Sequence, residues 1–180
     1  AISAMFFRIQ SVLNLCLARK SKIQKKVDAL RDELWPDINS ADIWTRKTSQ
    51  GFTTIPRTLP LIGSIADALS GSGKPVLQTY MELWCRVYDN GFVNLSKQLE
   101  IAFCSGFSGQ RSVSTWKERM KILHELGFID IKDGPSGPFS YALIYNPYQV
   151  VQKHKAAGSP NFPEDRYAAL FERALDIGAD

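Results

Sequence analysis

The sequence predicts a mainly α protein that carries one small β-hairpin. Two observations make this prediction. Apolar residues recur at helical spacing in several separate stretches, most clearly Val76, Leu77, Tyr80, Met81, Trp84, Val87 and Tyr88, and again Val113, Trp116, Met120, Leu123 and Leu126. Strict alternation over two consecutive segments occurs in one place: Ile129 and Ile131 alternate with Asp130 and Lys132, and Phe139, Tyr141, Leu143 and Tyr145 alternate on the return. Between these runs, residues 133–138 read Asp-Gly-Pro-Ser-Gly-Pro, the composition of a hairpin tip. The 180 residues, 44% hydrophobic and 22% charged, are enough to bury a core without disulfides or metals.

Residues 5–35 contain no Pro or Gly and read as one long helix. Ile9, Leu13, Cys16, Lys20, Ile23, Val27, Leu30 and Leu34 follow a 4-3 alternation, a heptad seam with one polar position. Such a seam is either a dimerisation helix or a narrow stripe packed on the chain's own domain. Trp35-Pro36 ends it, because the residue before Pro is pushed out of helical space. Residues 36–60 are a Pro- and Gly-punctuated connector in which 52–55 (Phe-Thr-Thr-Ile) can form a short strand. Pro60 suits the first position of a helix through Leu69, with Leu61, Ile62, Ile65, Ala66 and Leu69 as its apolar face. Residues 70–75 are a turn. Gly73-Lys74 does not make a phosphate loop there, since the pattern needs Gly at 68 and Ser or Thr at 75, where the chain has Ala68 and Pro75.

The 76–89 helix ends at Gly91, a left-handed cap, and residues 92–95 form an extended link suited to pairing with the hairpin strands. Ser96 is the expected N-cap of a short helix from Lys97 to Cys104, with Leu99, Ala102 and Phe103 toward the core. A Gly/Ser-rich turn follows. The next helix then starts at 109, 113 or 115, and Thr115 with Glu118 has capping-box spacing. Leu126-Gly127-Phe128-Ile129 turns it into the first hairpin strand, and Asn146-Pro147 stops the second. Residues 149–163 read as a linker. Pro163-Glu164-Asp165 opens a last helix whose apolar face is Tyr167, Leu170, Phe171, Ala174 and Leu175, packed on the core or on a second subunit. The organisation expected is therefore 1–35, long N-terminal helix; 36–75, connector with a short helix; 76–150, main domain; 151–180, linker and C-terminal helix.

The net charge is +4, unevenly spread: eleven basic and six acidic residues in 1–75, seven of each in 76–150, four and five in 151–180. Three widely spaced cysteines, Cys16, Cys85 and Cys104, suggest buried thiols in a reducing, cytoplasmic setting and no zinc site or disulfide framework. Arg8, Gln10 and Asn14 make the N-terminal stretch too polar for a membrane span, and its basic residues follow the apolar part, unlike a signal peptide. With Ala1 in place of Met, residue 1 is not expected to be the natural start. His124 and His154 have no metal-spaced partners, and no nucleophile motif occurs. No enzyme activity, cofactor or small-molecule ligand is expected.

Within the neutral main domain, residues 111–121 concentrate cations. Arg111, Lys117, Arg119 and Lys121 stand against Glu118 alone. The face opposite the apolar stripe carries Ser112, Ser114, Thr115, Lys117 and Glu118, small hydroxyls and charges of the types that reach base edges, while Arg111, Arg119 and Lys121 suit phosphates. Each residue alone is equally a solvated helix face. Lys132, beside Asp133, is the cation nearest the hairpin tip.

Helix, turn, basic helix and hairpin, read on Trp116-x3-Met120-x2-Leu123-x2-Leu126-Gly127-Phe128-Ile129, resemble the winged helix-turn-helix superfamily of bacterial regulators and replication proteins over residues 76–146. The long turn and the N-terminal arm depart from its compact members. The resemblance implies a winged helix-turn-helix core with an added N-terminal helix and a C-terminal helix. It further implies a double-stranded DNA partner read by the 112–121 face in the major groove and a role in transcription or in plasmid or phage replication control; the heptad seam adds the expectation of a homodimer through the N-terminal helix. The alternative is a winged helix used as a protein-interaction module without DNA binding.

Overall fold

The computed structural model describes residues 24–88 and 90–178, which divide by their contacts into one unit up to Gln50 and another from Gly51 onward. In the first, residues 24–34 are helical (α1), and the helix stops before Trp35-Pro36. Val27, Leu30 and Leu34 of the heptad seam are exposed. Ile9, Leu13, Cys16, Lys20 and Ile23 lie outside the described residues. A 3-10 turn covers Ser40–Asp42.

In the second unit, Pro60 sits in the first turn of α2 (Leu59–Leu69), whose Leu59, Ile62, Ile65 and Ala66 are buried. Gly63 lies under the Leu77 side chain where α2 meets α3 (Leu77–Arg86): a Cβ there would overlap Leu77 Cδ1 and stand 3.1 Å from its Cγ, so a larger residue would have to turn that side chain away. Asp67 Oδ1 accepts the amides of Val76 (2.5 Å) and Leu77 (2.8 Å), satisfying the otherwise orphaned donors at the start of α3. Residues 51–75 are thus part of the folded unit, with α2 in its core, and 52–55 form no strand; Thr53 Oγ1 donates instead to the carbonyl of Val87. α3 ends at Arg86, short of the expected 89, because Val87 is already extended (ψ 144°), leaving Tyr88 exposed.

Gly91 (φ +71°) turns the chain into β1 (Phe92–Asn94); a Cβ there would stand 2.8 Å from the carbonyl oxygen of Ile144. Next come α4 (Gln98–Cys104), α5 (Ser112–Glu125), β2 (Ile129–Gly134) and β3 (Gly137–Ile144). The sheet is antiparallel in the order β1-β3-β2, with Val93 and Ile131 both opposite Ala142. Val93 and Ala142 face the core, while Phe92 and Leu143 face solvent. The tip is shorter than expected, a Pro135-Ser136 turn with an irregularity between Lys132 and Gly134. Among the described residues the chain is a mixed α/β structure of seven helices and this small sheet.

Two expectations fail at the ends of elements. Ser96 does not cap α4: its amide is bound by Asn94 Oδ1 (2.9 Å), and Lys97 stands at the cap without a side-chain bond to the helix amides. Leu95, Ile101 and Ala102 fill the core positions, so Leu99 and Phe103 point outward at 68% and 70% exposure. The stretch after the sheet is not a linker. Asn146 Oδ1 accepts from the amides of Tyr148 and Gln149, and Pro147 occupies the first turn of α6 (Pro147–Ala156), which crosses the expected boundary at 150.

α7 (Glu164–Ile177) closes the chain, tied back by Arg166 Nη1 donating to the carbonyl of Ser64 (2.5 Å). α6 is tied to α2 by a Thr58–Tyr148 hydroxyl pair, and to the end of α5 by His154, whose Nε2 lies 2.8 Å from the carbonyl of Leu126 and Nδ1 2.8 Å from Ser159 Oγ. Phe128 connects these pieces, edge-on to Tyr80 (5.4 Å) and stacked with His154 (6.4 Å). Cys85 and Cys104, expected as buried thiols, are exposed, because Leu83 and Ile101 take the core positions of their helices.

Candidate nucleic-acid interface

The candidate surface begins with the loop from Ser105 to Arg111, where Gly106 (φ +83°) and Gly109 (φ +82°) reverse the chain. α5 then starts at Ser112, with Arg111 at its cap and no side-chain cap; the Thr115–Glu118 box is not used. Its inner face is Ser112, Trp116, Arg119, Met120 and Leu123, all buried. Trp116 lies against Phe139 (6.2 Å between ring centres). Burial of Trp116, Met120 and Leu123, each contributing about 1.5–3 kcal/mol, holds the helix on the sheet and fixes which face it turns outward.

Seven of the nine expected contact residues remain accessible. Arg111, Ser114, Glu118 and Lys121 are exposed, Thr115 and Lys117 half-buried at the flanks, and Lys132 exposed on β2. Ser114, Lys117, Glu118 and Lys121 recur at i, i+3, i+4 and i+7, one line along the helix spanning roughly 10 Å. The Ser114 hydroxyl donates to the carbonyl of Arg111 (2.9 Å), leaving its oxygen lone pairs outward. Lys117 Nζ sits 5.5 Å from the centre of the Phe139 ring, which holds this cation near the hairpin.

Ser112 and Arg119 are corrections. Both belong to the buried face, so neither joins the outer line. The signal was present in the sequence: Ser112, Trp116, Arg119 and Leu123 are spaced 4-3-4, the same seam as the apolar stripe. Arg119 is 9% exposed, and its Nε and Nη1 have no hydrogen-bond partner among the described residues. A carboxylate oxygen of Glu118 lies 3.8 Å from Nη1.

The hairpin adds little positive charge. Lys132 Nζ is 3.1 Å from Asp130 Oδ2. That bond, with the Ile131 amide, holds the Asp130 carboxyl below the ordinary carboxylate range. His124 Nδ1 lies 3.6 Å from the same carboxylate and 3.2 Å from the carbonyl of Ile129.

Sequence reasoning missed the network that fixes α4 beside α3. Arg86 reaches Glu82 (2.5 Å) on its own helix and Glu100 (3.1 Å) on α4, and Lys97 reaches Glu100 (3.3 Å). The Arg86 bond first, then the Lys97 bond, lower the Glu100 carboxyl from its usual range. Among the described residues, no three His, Cys, Asp or Glu stand together to hold a metal ion, and no helix is long and apolar enough to cross a membrane. In comparisons with known proteins, the chain matches no family model, no curated protein and no solved structure.

Proposed function

We propose that this chain binds double-stranded DNA through the outward face of α5, laid in the major groove, on a winged helix-turn-helix formed by α3, β1, α4, α5 and the β2-β3 hairpin. The observation that carries this reading is the division of α5 into an inner, buried face built on Trp116, Met120 and Leu123 and an outer line of Ser114, Lys117, Glu118 and Lys121, with Arg111 at its head. Pairing of β1 with β3 supports it, because the order helix, strand, helix, helix, hairpin with the first strand against the last is the arrangement such a domain requires. In this reading Arg111 and Lys121 bind phosphates, and Ser114, Thr115, Lys117 and Glu118 face base edges. A role in transcription or in plasmid or phage replication control follows as the setting for such a reader.

Anisotropy of a labelled duplex titrated at several salt concentrations tests it. Log affinity should fall with log salt at a slope of about −2 to −3, from two or three phosphate contacts. Lys121→Ala should flatten that slope by about 1 and weaken all sequences alike, while Thr115→Ala should change sequence preference. Absence of binding to any duplex at low salt sinks the reading.

A second reading, a protein-interaction module without DNA binding, is favoured by Leu99 and Phe103, exposed one turn apart on α4. Leu99→Ser with Phe103→Ser separates the two, since DNA affinity should survive it and a protein contact made there should not.

A further inference from the structure

α7 is fourteen residues long and buries only Leu170. Phe171 and Leu175, one turn apart, are 59% and 67% exposed. Across from them α6 presents Tyr148 and Val151 together with the amides of Gln149 and Gln152, and a groove of about 460 Å³ runs between the two helices, floored by Val151 and Leu170. None of the residues lining it is charged. Tyr167, Phe171 and Leu175 recur at i, i+4 and i+8, so the apolar wall extends roughly 12 Å along the helix. A helix laid in such a groove meets it with anchors at i, i+3 or i+4, and i+7.

Charge identifies the occupant. Asp165, Glu172 and Asp176 recur at i, i+7 and i+11 on the flank of the same helix, all exposed, and the structure pairs none of them with a described cation. Lys155, beside the groove, is already engaged by Glu164. Asp176 stands in the last turn, where α7 has no basic residue and where the helix dipole disfavours an acid. Arg173, three residues before it, is the one cation of α7 between Tyr167 and Ile177. A second copy fits badly, because two-fold pairing through Phe171 would set the acidic flank against itself.

We propose that the α6/α7 groove is a docking site for an amphipathic helix of another protein, one with leucine- or phenylalanine-type anchors on one face and lysine or arginine beside them. The surface is separate from the outer line of α5, and its test contains no DNA.

The full chain is titrated against two labelled synthetic eighteen-residue peptides with leucine at helical spacing, one with lysine and one with glutamate at the remaining positions. The leucine/lysine peptide should bind and the leucine/glutamate peptide should not. Phe171→Ser should weaken binding by about tenfold or more, as loss of a central anchor does. Glu172→Gln with Asp176→Asn should weaken it several-fold and remove most of its salt dependence. These side chains are exposed, so far-UV circular dichroism and the urea midpoint should be unchanged. The proposal is overturned if the lysine peptide does not bind, if both peptides bind equally, or if Phe171→Ser has no effect. It is also overturned if sedimentation shows a homodimer that Phe171→Ser dissociates.

Discussion

α5 and α7 are both fourteen-residue amphipathic helices, yet they are used in opposite ways. α5 buries five residues and turns a polar, mixed-charge face to solvent. α7 buries one, and the face it leaves open is apolar with an acidic border. A periodic pattern therefore states that a helix has two faces. Which of them the chain itself covers depends on neighbours that the pattern does not contain.

Core truncation separates the two helices most sharply. Trp116→Ala, at a fully buried position, should cost about 3–5 kcal/mol in urea unfolding, whereas Phe171→Ala should stay within about 0.5 kcal/mol. Equal losses would abolish the contrast. Within α7 alone, Leu170→Ala should cost about 2–5 kcal/mol, so adjacent residues of one helix should differ several-fold. A Leu170 change as mild as that at Phe171 would mean that α7 is not docked. Arg119→Met comes next. Replacing a buried guanidinium whose Nε and Nη1 lack hydrogen bonds, and whose ion contact is Glu118 at 3.8 Å, with an apolar chain of similar length should leave stability equal or raise it by about 1 kcal/mol. A loss above about 2 kcal/mol would show that the Glu118 contact, rather than the missing hydrogen bonds, sets the energetics of Arg119. The smallest effect is in acid. Because the folded Asp130 carboxyl lies below its ordinary value, its contribution is complete above that ordinary value and is lost as pH falls through the folded one. Asp130→Asn should flatten the acid limb of the stability curve slightly, and an unchanged limb would remove the Lys132 bond from the account.

Elements with a local chemical signal were legible in the sequence. Pro60 starts α2, Gly91 and Gly127 have the positive φ their turns need, and alternation marks the hairpin. Extended residues 92–94 do pair with the hairpin, as the link between two helices suggested. α6 was illegible because Asn146-Pro147 ends a strand and starts a helix with the same two residues, and the helix that follows has little apolar content beyond Tyr148, Val150 and Val151. In the candidate interface, Arg119 was misplaced by residue type. It is a cation, a type expected at the surface, yet its spacing from Trp116 and Leu123 puts it on the inner face. The exposure of Leu99, Phe103, Phe171 and Leu175 was beyond sequence reasoning, since each helix offers more apolar residues than its inner face holds, and the neighbours it packs against select Ile101 and Ala102 on α4 and Leu170 on α7.

The bond from Arg166 to the carbonyl of Ser64 spans 102 residues of chain, and the Thr58–Tyr148 pair spans 90. On the ribosome, α2 emerges long before α6 and α7 exist to meet it. At roughly 5–20 residues per second, its apolar face waits on the order of 5–20 s for those partners. A nascent chain arrested before residue 147 should therefore hold Leu59, Ile62 and Ile65 less completely covered than the finished protein does, and that interval is when a chaperone has most to bind.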